Sequence, residues 1–299
     1  MSTYRLDKLF SPRSVAVVGA SPRDTSPGRA VLRNLRAAGF EGSVSLVNPH
    51  YGEIEGIKAV KNIQELRQAP DLLVIATPPQ SVPGIVAAAG EKGAATAVII
   101  TAGLGHGEGS LADACEKAAR ASGLRLVGPN CLGVLSSRAK LNASFAARTP
   151  PAGELALISQ SGAIAAGLIE WSATHDIGFS AAVSLGDKVD VDFGDLLDFF
   201  ALDGATRAIL LYIESVNNAR KFMSAARASS PSWWSSPAVM LKGPRRQRRT
   251  PARSLVPTRS TTPRFTAPAC CGCWISTSCS PRRRRSDGYG RFRASGWRY

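Results

Sequence analysis

The chain has 299 residues, 44% of them hydrophobic, with 37 Lys and Arg against 22 Asp and Glu, a net charge of +15. It contains no run of 18 apolar residues and no apolar signal stretch among its first ten. That excludes a helical membrane span and a secretory leader and makes a soluble, cytoplasmic setting the expectation. The basic charge belongs to one region: residues 1–228 hold 22 basic and 21 acidic side chains, residues 229–299 hold 15 against the single Asp287.

From the N-terminus, Ser14–Ala20 is a short β-branched run ending in glycine, the pattern of a strand buried on both faces. Similar runs follow at Ser43–Asn48, Leu72–Thr77, Ala97–Ala102 and Leu124–Gly128. Amphipathic stretches at Gly28–Ala38, Ser81–Lys92 and Ser110–Ser122 separate them, and Gly123 stands where a helix ends. Strands alternating with helices of this length predict an α/β fold with a doubly wound parallel sheet, Rossmann-like, over residues 1–145.

The strands end in small or turn-forming residues: Gly19-Ala20-Ser21, Asn48-Pro49, Ala76-Thr77-Pro78, Thr101-Ala102-Gly103, and Asn130 after Gly128-Pro129. In open α/β sheets ligands sit at the carboxyl ends of strands, where small side chains let backbone amides approach phosphates. Tight turns between strand and helix need the same residues; five such ends together favour a nucleotide-like ligand. A dinucleotide site wants three glycines after the first strand and an acid after the second. Here the loop has one glycine and the second strand ends in Asn48, which argues against an NAD(P)-dependent oxidoreductase, the competing reading of this domain. Arg23 and Arg29 beside the first loop suit an additional phosphate, or are simply solvated.

A Pro- and Gly-containing stretch, Arg148–Gly153, reads as a linker into a second unit over 150–228. Glu154–Gln160 is a strand and Ser161–Trp171 a helix, so Gln160, Ser161, Gly162 and Ala163 form a strand-to-helix turn. Free amides and the helix dipole make such a turn an anion site; Ser161 is equally an ordinary N-cap. A strand at Phe179–Leu185 leads to the carboxylate-rich Gly186–Asp192 and a helix at Phe193–Phe200 that Asp192 and Asp195 cap. Arg207–Ile213 is a further strand with Glu214 at its carboxyl end. That acid either orients a basic catalytic group or is a solvated turn residue. A helix at Asn217–Ala228 follows. Cys115 and Cys131 are isolated, and no Cys/His spacing matches a metal site.

Residues 229–299 have only 7 Leu, Ile, Val and Phe among 71, a composition that predicts a disordered basic tail. Arg245–Arg249 and Arg282–Arg285, interleaved with Trp274, Tyr289, Phe292 and Trp297, offer a nucleic-acid-binding reading; no specific nucleic acid is expected.

Taken together, Leu9–Ser21, Val47–Pro49, Gly128–Gly133, Ser159–Ala163, Gly186–Asp192 and Tyr212–Glu214 resemble the NDP-forming (ADP-forming) acyl-CoA synthetases, relatives of the succinyl-CoA ligase α subunit. The resemblance implies a CoA-binding domain whose strand ends hold CoA or acyl-CoA, then a flavodoxin-like domain. In the second domain the turn Gln160–Ala163 would hold a phosphohistidine and Glu214 would orient its ring. It further implies ATP or ADP, with Mg2+, on an ATP-grasp domain or subunit that only the intact enzyme contains. The branch of protein lysine acetyltransferases that shares this ligase body is an alternative.

In the family the histidine lies in a His-Thr-Gly-Ala-Leu-Ala-Gly stretch 35–40 residues beyond Tyr-Ile-Glu. The three histidines here, His50, His106 and His175, all precede Glu214 and read as loop or surface residues. A change of reading frame near residue 228 accounts for the loss. In the neighbouring frame Trp233-Trp234-Ser235 yields Val-Val, Pro237–Gly243 permits Gly-Arg-His-Ala-Glu-Gly, and Arg249–Val256 permits the missing motif. On that reading the second domain is truncated at 228 and lacks its next strand.

Overall fold

A computed structural model describes residues 3–228 and the backbone of residues 239–242. The expected disorder of 243–299 lies outside the described residues, as do residues 229–238.

The first sheet is the predicted Rossmann-like one. A short helix, α1 (Leu6–Phe10), precedes β1 (Ser14–Val18), α2 (Pro27–Ala37) and β2 (Ser43–Val47). A hairpin of β3 (Glu53–Ile54) and β4 (Ile57–Val60), too short to have been predicted, comes next. Then follow β5 (Leu72–Ile75), α3 (Val82–Lys92), β6 (Thr96–Ile99), α4 (Leu111–Ser122) and β7 (Arg125–Val127). The strand order is β3-β4-β2-β1-β5-β6-β7, parallel throughout except for β3. Helix starts follow local chemistry. Ser26 caps α2 by accepting from Arg29 N with Pro27 next to it, and Ser110 caps α4 by accepting from Asp113 N. Val31, Leu32 and Leu35 then bury one side of α2.

The second sheet starts earlier than the 145–150 boundary expected from the prolines. β8 (Gly133–Ser136) and β9 (Leu141–Ser144) form an antiparallel hairpin, and β8 pairs with β11, so both belong to the second sheet. Asn34 of α2 donates its side-chain amide to Ser144 O and Ala146 O, each at 2.8 Å, and so ties the hairpin back to the first domain. The remaining elements are β10 (Ala152–Ser159), α5 (Gly162–Thr174), β11 (Phe179–Ser184), α6 (Phe193–Ala201), β12 (Ala208–Ile213) and α7 (Ala219–Ala228). The Asp192/Asp195 capping box at α6 forms as the spacing predicts.

One expectation fails. The strand read as lost is present: β13 (Val239–Lys242) lies parallel to β12, with Leu210 opposite Val239 and Ile213 opposite Lys242. The sheet order is β13-β12-β10-β11-β8-β9. The charge step at 228 was a poor marker because Val239-Met-Leu-Lys242 is a short apolar island inside a basic stretch. The flavodoxin-like domain therefore extends to Lys242 at least.

The core is layered. One hydrophobic cluster joins a face of the first sheet, α1 and α2 to the face of the second sheet covered by α6 and α7. Phe10 stacks on Phe199 at 4.8 Å within it. A second cluster lies between the first sheet and α3 and α4, and the third and smallest lies under α5.

Candidate functional site

The carboxyl ends of the first sheet's strands form one rim. At Gly19 (φ +90°) a Cβ would meet Ala76 O at 2.5 Å, and at Gly28 it would meet Ala20 Cα at 2.8 Å. Only glycine at both lets the start of α2 close onto the β1 loop beside Ala76 and Thr77, a backbone-walled cradle of the kind a phosphate or adenine edge requires. The sequence reading noted a single glycine in that loop. The second need at Gly28 becomes visible only when α2 is packed on Ala20.

Asn48 is buried and fully engaged. Its Nδ2 donates to Ala20 O at 2.7 Å, and its Oδ1 accepts from His50 N and Tyr51 N. It sets the β1 loop from the neighbouring strand end, with Pro49 exposed beside it. Thr101 Oγ1 donates to Thr77 O at 2.7 Å, and Asn130 N to Thr101 O at 3.0 Å, so three strand ends are linked in series. Ala102, Gly103 and Pro78 are exposed on the same rim, and Ser21 is partly exposed. Arg23 is exposed and available, whereas Arg29 is held by Glu55 Oε1 at 2.6 Å and Asp24 Oδ1 at 2.5 Å.

The second domain meets this rim through residues 186–191. A Cβ at Gly186 would lie 2.1 Å from Pro129 O, so the loop approaches as closely as backbone can. Asp187 N donates to Pro129 O, Val189 N to Gly128 O and Val191 N to Leu126 O, an added ladder along the edge of β7. Asp190 Oδ2 accepts from Leu126 N and from Arg125 Nε at 2.9 Å. Behind it Asp195 Oδ2 is 3.4 Å from Arg125 and 2.7 Å from Lys221. Burial pushes the Asp195 carboxyl above the ordinary carboxylate range, against the pull of Lys221 and Arg125. Burial acts downward on Lys221, but its bonds to Asp195 and Asp192 leave it raised.

The predicted anion turn lies at this junction. Ser161 caps α5, its Oγ accepting from Ile164 N at 3.4 Å. The position of a Cβ on Gly162 is 3.6 Å from Leu132 N and 3.7 Å from Ser184 Oγ. Ala163 is exposed. Gln160 is used differently from expectation. Its Oε1 accepts from Glu214 N and Ser215 N at 3.1 and 3.0 Å, and its Nε2 donates to Ser215 Oγ. The side chain thus fixes the β12 end and presents Glu214, whose residue is exposed, beside the turn. Lys188, which the sequence did not single out, is buried and donates to Ser215 O at 2.8 Å and to Ser215 Oγ. Burial lowers its ammonium below the ordinary value despite Glu214, Asp192 and Asp187 nearby. A lysine among the carboxylates of Gly186–Asp192 was the one available signal. The three histidines are exposed, as expected; His175 stacks on Trp171. A cleft of about 520 Å³ opens beside the junction, between His106–Glu108, the start of α4 and Asp187. No cluster of three metal-ligating side chains occurs, and no helix is long and apolar enough to cross a membrane, among the described residues.

Comparison with known proteins finds two domain families in the same order. The CoA binding domain family model matches residues 13–137, and that of the succinyl-CoA ligase like flavodoxin domain matches 152–271, continuing past the charge step. The acetate–CoA ligase [ADP-forming] I subunit alpha of Pyrococcus furiosus is 41% identical over 250 residues, which cover 81% of this chain and 54% of that protein. The 4-hydroxybutyrate–CoA ligase [ADP-forming] of Nitrosopumilus maritimus is 34% identical over 224 residues, 73% of this chain and 32% of that one. Among solved structures, the dinucleotide forming acetyl-coenzyme A synthetase 1 of Ca. Korarchaeum cryptofilum, in complex with phosphate and ADP, superposes with a TM-score of 0.75. The identity is 36%, over 81% of this chain and 52% of that one. The chain thus spans from about a third to about half the length of these relatives. With both domains matched in order and the strand-end loops and α5 turn converging, the chain belongs to the ADP-forming acyl-CoA synthetase family, of which it carries the N-terminal portion.

Proposed function

We propose that this chain is the CoA-binding part of an enzyme that converts an acid, CoA and ATP to acyl-CoA, ADP and phosphate. The observation that carries the reading is the convergence of two sites. The rim of Gly19–Ser21, Arg23, Asn48, Ala76–Pro78, Thr101–Gly103 and Asn130 fits CoA, and it abuts the turn Gln160–Ala163 with Glu214 alongside. The Gly19/Gly28 cradle, where any Cβ would collide with backbone, supports close approach of a phosphate or adenine group. In this reading the α5 turn seats the phosphoryl group and Glu214 orients the histidine that carries it. ATP or ADP with Mg2+, and the ATP-grasp domain or subunit that binds them, come from the remainder of the enzyme. Calorimetric titration of the chain should show CoA binding with little response to NAD; tighter binding of NAD would move the first domain to the oxidoreductase class. With acetate, CoA and ATP the chain should form no acyl-CoA above background.

The frame change is also proposed, at a revised position. β13 is built from Val239–Lys242 as written and occupies the fourth parallel place of the sheet, which supports an unbroken frame up to that point. The family histidine motif in the neighbouring frame starts at Arg249, 35 residues beyond Glu214. The break would then lie between Lys242 and Arg249, which gives up the neighbouring-frame readings of 233–243 and falls inside the stretch that the flavodoxin-domain family model matches. Nucleotide sequencing of those codons, followed by expression of the restored frame, tests it: turnover should return. A neighbouring frame interrupted by stop codons would make the basic tail genuine.

A further inference from the structure

Ser184 stands apart from the other hydroxyls of the junction. It ends β11, is 1% exposed, and its Oγ is the buried side-chain polar atom without a hydrogen-bond partner among the described residues. The surrounding hydroxyls are committed: Ser159 Oγ donates to Ser161 O at 2.7 Å, and Ser161 Oγ caps Ile164 N. Ser184 lies opposite Ser159 in the sheet, under the first turn of α5. Its Oγ is 3.7 Å from the point where a Cβ of Gly162 would stand. Nothing comes within 3.4 Å of that point, so a methyl-sized space separates the hydroxyl from the helix start.

A buried hydroxyl with no partner destabilises a fold. The first turn of a helix leaves four amides without intrahelical acceptors, and the Ser161 cap accounts for that of Ile164 only. An unpaired hydroxyl of β11 thus lies next to the first turn of α5, whose amides lack acceptors, and an oxyanion with several lone pairs is a group that could accept from both. We propose that Ser184 donates its hydroxyl proton to a phosphoryl oxygen held at the N-terminus of α5, making β11 a contributor to the anion site. This rests on the reading of the α5 turn as the phosphoryl seat and adds a residue that reading does not contain.

The test uses the full chain, inorganic phosphate as probe, and Ser184→Ala with Ser184→Cys as a second variant that keeps side-chain volume but donates weakly. Losing a hydrogen bond to a charged oxygen should weaken phosphate binding about ten- to hundred-fold in Ser184→Ala, with Ser184→Cys between it and the parent. Without phosphate, Ser184→Ala should melt at the same or a higher temperature, because an unpaired buried group is removed. With phosphate, its melting temperature should fail to rise as the parent's does. Equal phosphate affinity in parent and both variants would overturn the proposal while leaving the seat intact. So would a lower melting temperature of Ser184→Ala without phosphate, which would mean the hydroxyl has a structural partner such as a buried water. No phosphate binding by the parent would instead remove the seat and the proposal together.

Discussion

Every residue of β1, β5 and β6 in the first sheet is buried, whereas β12 in the second alternates. Ile209, Leu211 and Ile213 are buried against the α6 and α7 side, but Ala208, Leu210 and Tyr212, on the α5 side, are half-buried. On α5 itself Ile164 is 38% and Trp171 40% exposed. Both sheets are doubly wound; they differ in how many crossovers have been completed. The order β11-β10-β12-β13 is the first four places of a flavodoxin-like sheet. Right-handed connections put the helix following a fifth strand beside α5, over the half-open face. The central strands of the first sheet are thus closed by its own helices, while the α5 face of β12 is incompletely covered among the described residues.

Substitutions at matched positions test that contrast, and the largest effect should come from the closed sheet. Leu73→Ala in β5, at a fully buried position, should cost about 3 kcal/mol in denaturant unfolding. A loss below about 1 kcal/mol would mean the first sheet is no better packed than the second. Asp195→Ala should follow at about 2 kcal/mol, because it removes the buried carboxylate that completes the α6 capping box and one of the two carboxylate partners of both Arg125 and Lys221 at the seam between the sheets. Little effect would show that the network is solvated. Thiol labelling locates the loosening. Burial raises Cys115 to about 11 and Cys131 to about 12, so both should resist alkylation near pH 8. In Asp195→Ala, Cys131, next to the seam, should label faster while Cys115, inside α4, stays protected; equal acceleration would mean the two domains open as one. The smallest effect is expected at Leu210→Ala, below about 1 kcal/mol, since that side chain is already partly exposed. A loss as large as that at Leu73 would show the α5 face to be covered.

What the sequence disclosed follows the same contrast. Five of the six parallel strands of the first domain and the helices beside them were legible because each is a short uniform apolar run or one face of a helix, punctuated by Gly or Pro. The hairpin β3–β4 has two and four residues and carries no period to read. β8 and β9 were hidden because Gly133–Ser136 and Leu141–Ser144 look like turn sequence and become strands by pairing with β11 and with each other, a long-range event. β13 was obscured by charge: its apolar residues sit in the stretch where composition changes. At the site, strand-end residues were visible as small side chains, and Ser161 as a cap. The use of Gln160 to hold Glu214, the burial of Lys188 and the isolation of Ser184 all depend on contacts between elements 20 to 55 residues apart in sequence, which local pattern does not carry.

The backbone ladder between residues 187–191 and β7 has a mechanical meaning. Three backbone N–H···O hydrogen bonds to Leu126, Gly128 and Pro129 fasten the two domains along β7, with Gly186 in close backbone approach. A hinge cannot lie there. The rim and the loop before α6 are therefore held at one separation, so on the proposed reading a group bound on the rim would lie at a set distance from the α5 turn.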